Sequence, residues 1–211
     1  MPIFPSSPSF SAQSAESLQF ATPSNLARAG RVAESLLNST ILFTQLHASE
    51  IGSLMTMPTL ETLNNLIARQ EPFTRAFTEL STAVLAFQAD IYAKEAQPKS
   101  HSTVSPNTQK AILTLALYQA TIRLLLLRDP DNPDLSSRAN NMDTEYSQIV
   151  DSAEAILAMG DTSKDRAMAF TPTSYLLSPL FLVAHGAGEQ ALRRRAVELM
   201  CTTSSERGTV G

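Results

Sequence analysis

Apolar residues recur at three- and four-residue intervals through most of this chain, and from Pro23 onward those intervals mark a succession of helices. Leu26, Val32, Leu36, Leu37, Ile41 and Leu42 fall on a first helix predicted from residue 23 to about residue 51. Leu60, Leu63, Leu66 and Ile67 predict a short second helix. Phe73, Phe77, Leu80, Val84, Leu85, Phe87 and Ile91 predict a long third, ended by the loop at 97–100. Ile112, Leu115, Ile122 and Leu126 lie on a fourth. Its additional leucines at 113, 117, 124, 125 and 127 leave it almost no polar face, which predicts a central position. The Pro- and Asp-rich stretch 129–133 breaks the chain. A fifth helix follows from about Met142 through Tyr146, Ile149, Val150, Ala153 and Ile156 to Gly160, a suitable C-terminal stop. A sixth holds Tyr175 to His185 with Pro179 inside, expected to kink or split it. A seventh runs from Glu189 to about Cys201.

Start signals reinforce the pattern. Thr22-Pro23, Ser105-Pro106 and Thr171-Pro172 each pair a hydroxyl that can accept from first-turn N–H groups with a proline that gives up no hydrogen bond there. Glu71-Pro72 offers a variant with a carboxylate at the positive end of the helix dipole. No segment alternates with period two over more than a few residues, and no repeat of solenoid length occurs. The expected fold is all-α: a single-domain irregular bundle of about seven helices over residues 23–211. It is preceded by a Ser/Pro-rich tail over 1–22 that reads as disordered.

Composition narrows the function. The chain has 211 residues, 43% hydrophobic and 17% charged, enough for one sizeable core and too apolar for a disordered chain. A net charge of -4 supplies no positive field for phosphates, which argues against direct nucleic-acid binding. The most apolar run, 111–127, is interrupted by Thr114, Gln119, Thr121 and Arg123 and reads as a buried helix, not a membrane span. The first twenty residues show no secretory signal and no Arg-rich transit pattern, and a single cysteine fits a reducing compartment. An intracellular location, nuclear or cytoplasmic, is expected.

The C-terminal residues carry a resemblance. Pro179-Leu180, Arg193-Arg194-Arg195, Ala196, Leu199 and Glu206-Arg207-Gly208 occur in the order and approximate spacing found at the end of the large helical domain of fungal binuclear zinc-cluster transcription factors. The resemblance is good from Phe170 to Gly208, moderate from about Ala111, and weak before Leu80. His185-Gly186-Ala187-Gly188 stands where that family has a Cys-Arg pair, and no Trp follows Gly208. The resemblance implies an all-helical fold and a regulatory ancestry. It does not carry over DNA binding, because the family's finger needs six cysteines and this chain has Cys201 alone.

Other chemistry is sparse. Three adjacent arginines on a helix fan across some 200° and form no single basic face, so 193–195 are expected to pair with carboxylates, Glu189, Glu198 and Glu206 being close enough, or to cap carbonyls at helix ends, with nuclear import or phosphate contact the alternative. His101 falls in a polar loop, His47 lies four residues after Phe43, and His185 ends the sixth helix, where an imidazolium suits the dipole. No His-Glu-x-x-His motif occurs, so no metal is expected. Cys201 lies near a helix C-terminus, the wrong end for a thiolate, and reads as a small buried hydrophobe. No nucleotide loop or nucleophile elbow occurs, and no cofactor is expected. Asn38-Ser39-Thr40 matches a glycosylation acceptor but sits within a predicted helix.

What remains is a pocket between helices, lined by apolar side chains with a few orienting polar groups. Tyr118, Arg123, Tyr146, Tyr175 and His185 lie on or beside the helices that carry the resemblance and are the candidate ligand-binding residues. Two functions follow. One is a regulatory domain that binds an apolar small molecule or another helical protein, including a second copy of itself, with a place in secondary metabolism. The other is a cofactor-free cyclase or isomerase that folds an apolar terpenoid or polyketide substrate within such a pocket.

Overall fold

The structure, a computed structural model, describes residues 23–56, 59–95, 105–126, 135–159 and 174–205. The tail at 1–22, the breaker at 129–133, His101, Gly160, Thr171-Pro172 and Glu206 fall outside the described residues. Within them the fold is all-α, with α1 (Pro23–Leu46), α2 (Ala48–Thr56), α3 (Leu60–Glu95), α4 (Pro106–Leu125), α5 (Leu135–Ala158), α6 (Ser174–Gly186) and α7 (Gln190–Ser205). No strand occurs among the described residues.

Seven helices were expected and seven are described, but they are not the same seven. The first predicted helix is two: α1 ends at Leu46, the chain turns at His47, and α2 resumes at Ala48. Before the turn Thr44 Oγ1 bonds the carbonyls of Thr40 and Ile41 at 3.1 and 2.7 Å, and Ser39 and Thr40 bond back to Ser35 and Leu36. Such hydroxyls compete with the backbone ladder and weaken its continuation. His47 then stacks on Phe43 with ring centroids 4.6 Å apart. Its Nδ1 lies 3.3 Å from Glu50 Oε1 and 3.3 Å from Arg69 Nη1, while Arg69 reaches the Glu50 carboxylate at 3.2 Å, so the turn and α2 are tied to α3.

The second and third predicted helices are one. Leu66, Gln70, Phe73, Phe77, Leu80, Val84, Phe87 and Ile91 alternate four- and three-residue steps without a gap, and six of the eight are buried. That is a heptad seam. The expected start at Glu71-Pro72 is overturned because Gln70 carries the seam across a polar position: fully buried, it donates from Nε2 to the Leu125 carbonyl at 3.4 Å. Pro72 points outward and costs α3 one ladder hydrogen bond. The cap that does begin α3 is Thr59, whose Oγ1 accepts from Thr62 N at 3.3 Å.

Ser105-Pro106 performs as its sequence predicts, with Ser105 extended at φ -61°, ψ 145° and its Oγ accepting from Thr108 N at 3.2 Å. The helix it opens, α4, is the hub of the fold. It packs along α5 and α1 and also touches α3 and α6. Its buried residues Leu115, Leu117, Tyr118, Ala120, Thr121 and Ile122 span an arc of about 220° around the axis, with Gln119 and Arg123 on the remaining face. Each fully buried Leu, Ile or Phe contributes about 1.5–3 kcal/mol relative to exposure. Thr121 satisfies its hydroxyl on Leu117 O at 2.7 Å.

At the far side α6 and α7 form a hairpin against α5. α6 runs unbroken through Pro179, so the proline does not split it. Leu176, Leu180 and Val183 are fully buried, and Leu192 and Ala196 answer them from α7. Cys201 is exposed, which corrects the expectation of a buried thiol. The inward positions of α7 are 192, 196 and 203, and residue 201 falls about 200° around the helix from 203.

Candidate functional site

The five candidate residues do not converge. Tyr118 on α4 and Tyr175 on α6 meet edge to face, with centroids 6.2 Å apart and rings at 76°. Burial, with Glu34 and Tyr175 adding to it, pushes the Tyr118 phenol well above the usual range, so it stays protonated and is no base. Tyr146 on α5 is buried against Gly186, whose missing side chain makes room for the phenolic oxygen. His185 is exposed at the end of α6. Its Nδ1–H donates to Phe181 O at 3.0 Å, and its ring lies 3.9 Å from that of Phe181.

Arg123 differs. Its guanidinium carbon sits 5.6 Å from the centroid of the buried Phe77 ring, and Nη1 is 3.9 Å from Glu145 Oε1. Glu145 is itself buried, and its Oε2 accepts no hydrogen bond. A buried carboxylate so placed relies on the adjacent guanidinium for compensation. The same Arg123 lines a cleft of about 210 Å³ between α3 and α4, floored by Phe77 and Ala120 and walled by Thr78, Ser81, Thr82, Gln119 and Gln148, with Leu85 at its edge. Gln119 Nε2 donates to Ser81 Oγ at 3.2 Å across it. A second, shallower depression of about 460 Å³ lies on α4 and α5 beside Gln148, Asp151 and Ser152. None of Tyr118, Tyr146, Tyr175 or His185 lines either one.

Sequence reasoning reached Arg123 and missed the rest of the cleft. One signal was present: Gln119 and Arg123 interrupt the most apolar helix four residues apart, on one face. Thr78, Ser81 and Thr82 are ordinary surface residues of α3 until α4 is laid beside them, and no pattern points to Gln148.

The arginine run resolves into separate roles. Arg195 makes a bidentate contact with Glu154 (Nε to Oε1 3.0 Å, Nη2 to Oε2 2.8 Å) and a further one from Nη2 to Asp151 Oδ1 at 2.8 Å. Pairing with carboxylates is therefore correct for Arg195, but the acids come from α5 and not from Glu189 or Glu198. Arg193 and Arg194 are exposed. Thr40 of the glycosylation match is fully buried and bonded to Leu36 O at 2.8 Å, so that hydroxyl is inaccessible in the fold.

Among the described residues no group of three or more His, Cys, Asp or Glu could hold a metal ion, and no helix is long and apolar enough to cross a membrane. No protein-family model matches the chain, and neither a curated protein nor a solved structure matches it.

Proposed function

We propose that the chain is a binding module, a helical regulatory domain that responds to a small molecule held in the cleft between α3 and α4. The observation that carries this reading is the placement of Arg123: one guanidinium is braced by an aromatic face and a buried carboxylate while it lines a cleft with hydroxyl and amide groups. The C-terminal resemblance to fungal binuclear zinc-cluster transcription factors supports a regulatory role, in the nucleus or cytoplasm, over a catalytic one. At about 210 Å³ the cleft is below the roughly 300–1,000 Å³ of pockets for drug-sized ligands, which suits a metabolite. Occupancy would join α3 to α4 and so couple a ligand to the packing of the hub helix, where a protein partner could read it.

The test is thermal unfolding of the purified chain with a metabolite panel spanning acids, bases and neutral compounds. A ligand at a hundred times its Kd stabilises by about 2.7 kcal/mol, a readily measured shift in Tm. The reading fails if no compound raises Tm, or if every stabilising compound acts equally on a variant whose cleft is filled by Gln148→Trp.

A further inference from the structure

We infer that His47 is a proton-operated latch at the turn between α1 and α2: the neutral ring holds Arg69 of α3, and protonation transfers the same ring nitrogen to Glu50 and loosens α2 from α3. The geometry poses a choice at one atom. Nδ1 lies 3.3 Å from Arg69 Nη1 and 3.3 Å from Glu50 Oε1. A guanidinium has only N–H donors, so Nδ1 must offer a lone pair to receive it; an ionised carboxylate only accepts, so Nδ1 must carry a hydrogen to reach it. The two bonds exclude each other. A neutral ring with its hydrogen on Nε2 takes the Arg69 bond, whereas the imidazolium carries a hydrogen on both nitrogens and takes the Glu50 bond alone.

The ring is held in place for this exchange. It stacks on Phe43, which packs on Phe73 of α3 with centroids 5.3 Å apart, and 22% of the His47 side chain stays open to solvent, so a proton can reach it. Among the described residues α2 touches α1 and α3 and no other helix. Glu50 is the one charged residue on α2, and none lies on α1 between Glu34 and the turn. On α3, Glu71 is paired with Arg75 at 3.4 Å, and Glu61 lies about two turns before Arg69. Glu50 and Arg69 therefore dominate the field at His47. Glu50 stays ionised through the exchange, because His47 first and Arg69 in addition hold its carboxyl below the ordinary value of 4.5. Protonation takes the His47–Glu50–Arg69 group from neutral to one net positive charge and sets two cations side by side. The form with Arg69 withdrawn thus binds the proton more tightly, and by linkage acid favours withdrawal. The carboxylate then serves the local bond to His47, three residues away, in place of the link to α3.

The experiment follows the full ¹³C/¹⁵N-labelled chain by NMR from about pH 8.5 to about pH 5.5, the range in which an imidazole changes charge. It reads the His47 ring carbons, the Arg69 guanidinium carbon, and the protection of the Ile51 and Gly52 amides relative to intrinsic exchange. The expected result is an Arg69 shift that shares the His47 midpoint, with protection about threefold lower at the acid end, the worth of one exposed charge-assisted bond. His47→Asn keeps a polar group at the turn that does not titrate here and should leave the Arg69 carbon and the protection flat. Arg69→Gln removes the latched group and should flatten the protection while the His47 ring still titrates. An Arg69 carbon that stays still as His47 titrates overturns the inference in the parent chain itself, whether or not either variant folds. Protection that is unchanged or rises toward acid also overturns it, as does an Arg69 shift that persists in His47→Asn.

Discussion

Tyr146 places its phenolic oxygen in the space that a Cβ on Gly186 would fill. The contact joins α5 to the last residue of α6, where a side chain on residue 186 would have to displace the phenol. Gly186 is required here for close approach, with no unusual backbone conformation demanded of it. Gly186→Ala gains a few tenths to one kcal/mol of helix propensity but forces an overpacked contact costing about 1–3 kcal/mol, so the net effect is destabilising. Urea unfolding of Gly186→Ala, Tyr146→Phe and the double variant checks it. The double variant is expected to lose less stability than the sum of the two single losses, and a Gly186→Ala protein as stable as the parent would refute the steric account.

Arg195 and its two neighbours should separate cleanly. Arg195→Ala removes a bidentate link from α7 to Glu154 and Asp151 on α5. All three side chains are more than a third exposed, so solvent and salt screen the attraction and the loss is on the order of 1 kcal/mol, shrinking as salt rises. Arg193→Ala and Arg194→Ala should stay within about 0.5 kcal/mol of the parent. Three equal losses in thermal unfolding at low salt would contradict this division.

Pro72 is exposed in the interior of the 36-residue α3. Pro72→Ala restores an N–H to the ladder and removes a ring clash, against a loss of rigidity in the unfolded chain, for a net gain of about 1–2 kcal/mol. Chemical denaturation measures it. A drop in stability would mean that the heptad seam does not pass continuously through Gln70.

Glu50 gives a pH dependence with a definite sign. The hydrogen bond with His47 chiefly, and Arg69 in addition, hold its carboxyl below the ordinary value of 4.5. The folded chain therefore binds fewer protons than the unfolded chain around that value. The contribution is present above it and is lost as pH falls through the lowered folded value. Protection factors of the Ile51 and Gly52 amides, taken relative to the intrinsic exchange rate at each pH, should fall between about pH 6 and about pH 3, and Glu50→Gln should flatten the profile.

Apolar periodicity made the helical class legible, the near absence of polar residues pointed to the central place of α4, and the Ser105-Pro106 pair marked its cap, because each signal lies within a short stretch of chain. The continuous α3 and the acids that hold Arg195 were missed because they depend on polar residues whose partners are remote. Gln70 belongs to a buried seam only because the Leu125 carbonyl meets it from α4, and Arg195 finds its acids 41 and 44 residues away on α5. Tyr118, Tyr146, Tyr175 and His185 share helices with the expected site, yet they turn to other neighbours. Local spacing specifies which face of a helix is apolar, and burial of that face drives the bundle together. It does not specify rotation and register between helices, which arise from packing among side chains far apart in sequence. That packing, and not the order of residues, brought Gln119 and Arg123 opposite Ser81 to form the one cleft that any of the five candidates lines among the two depressions described.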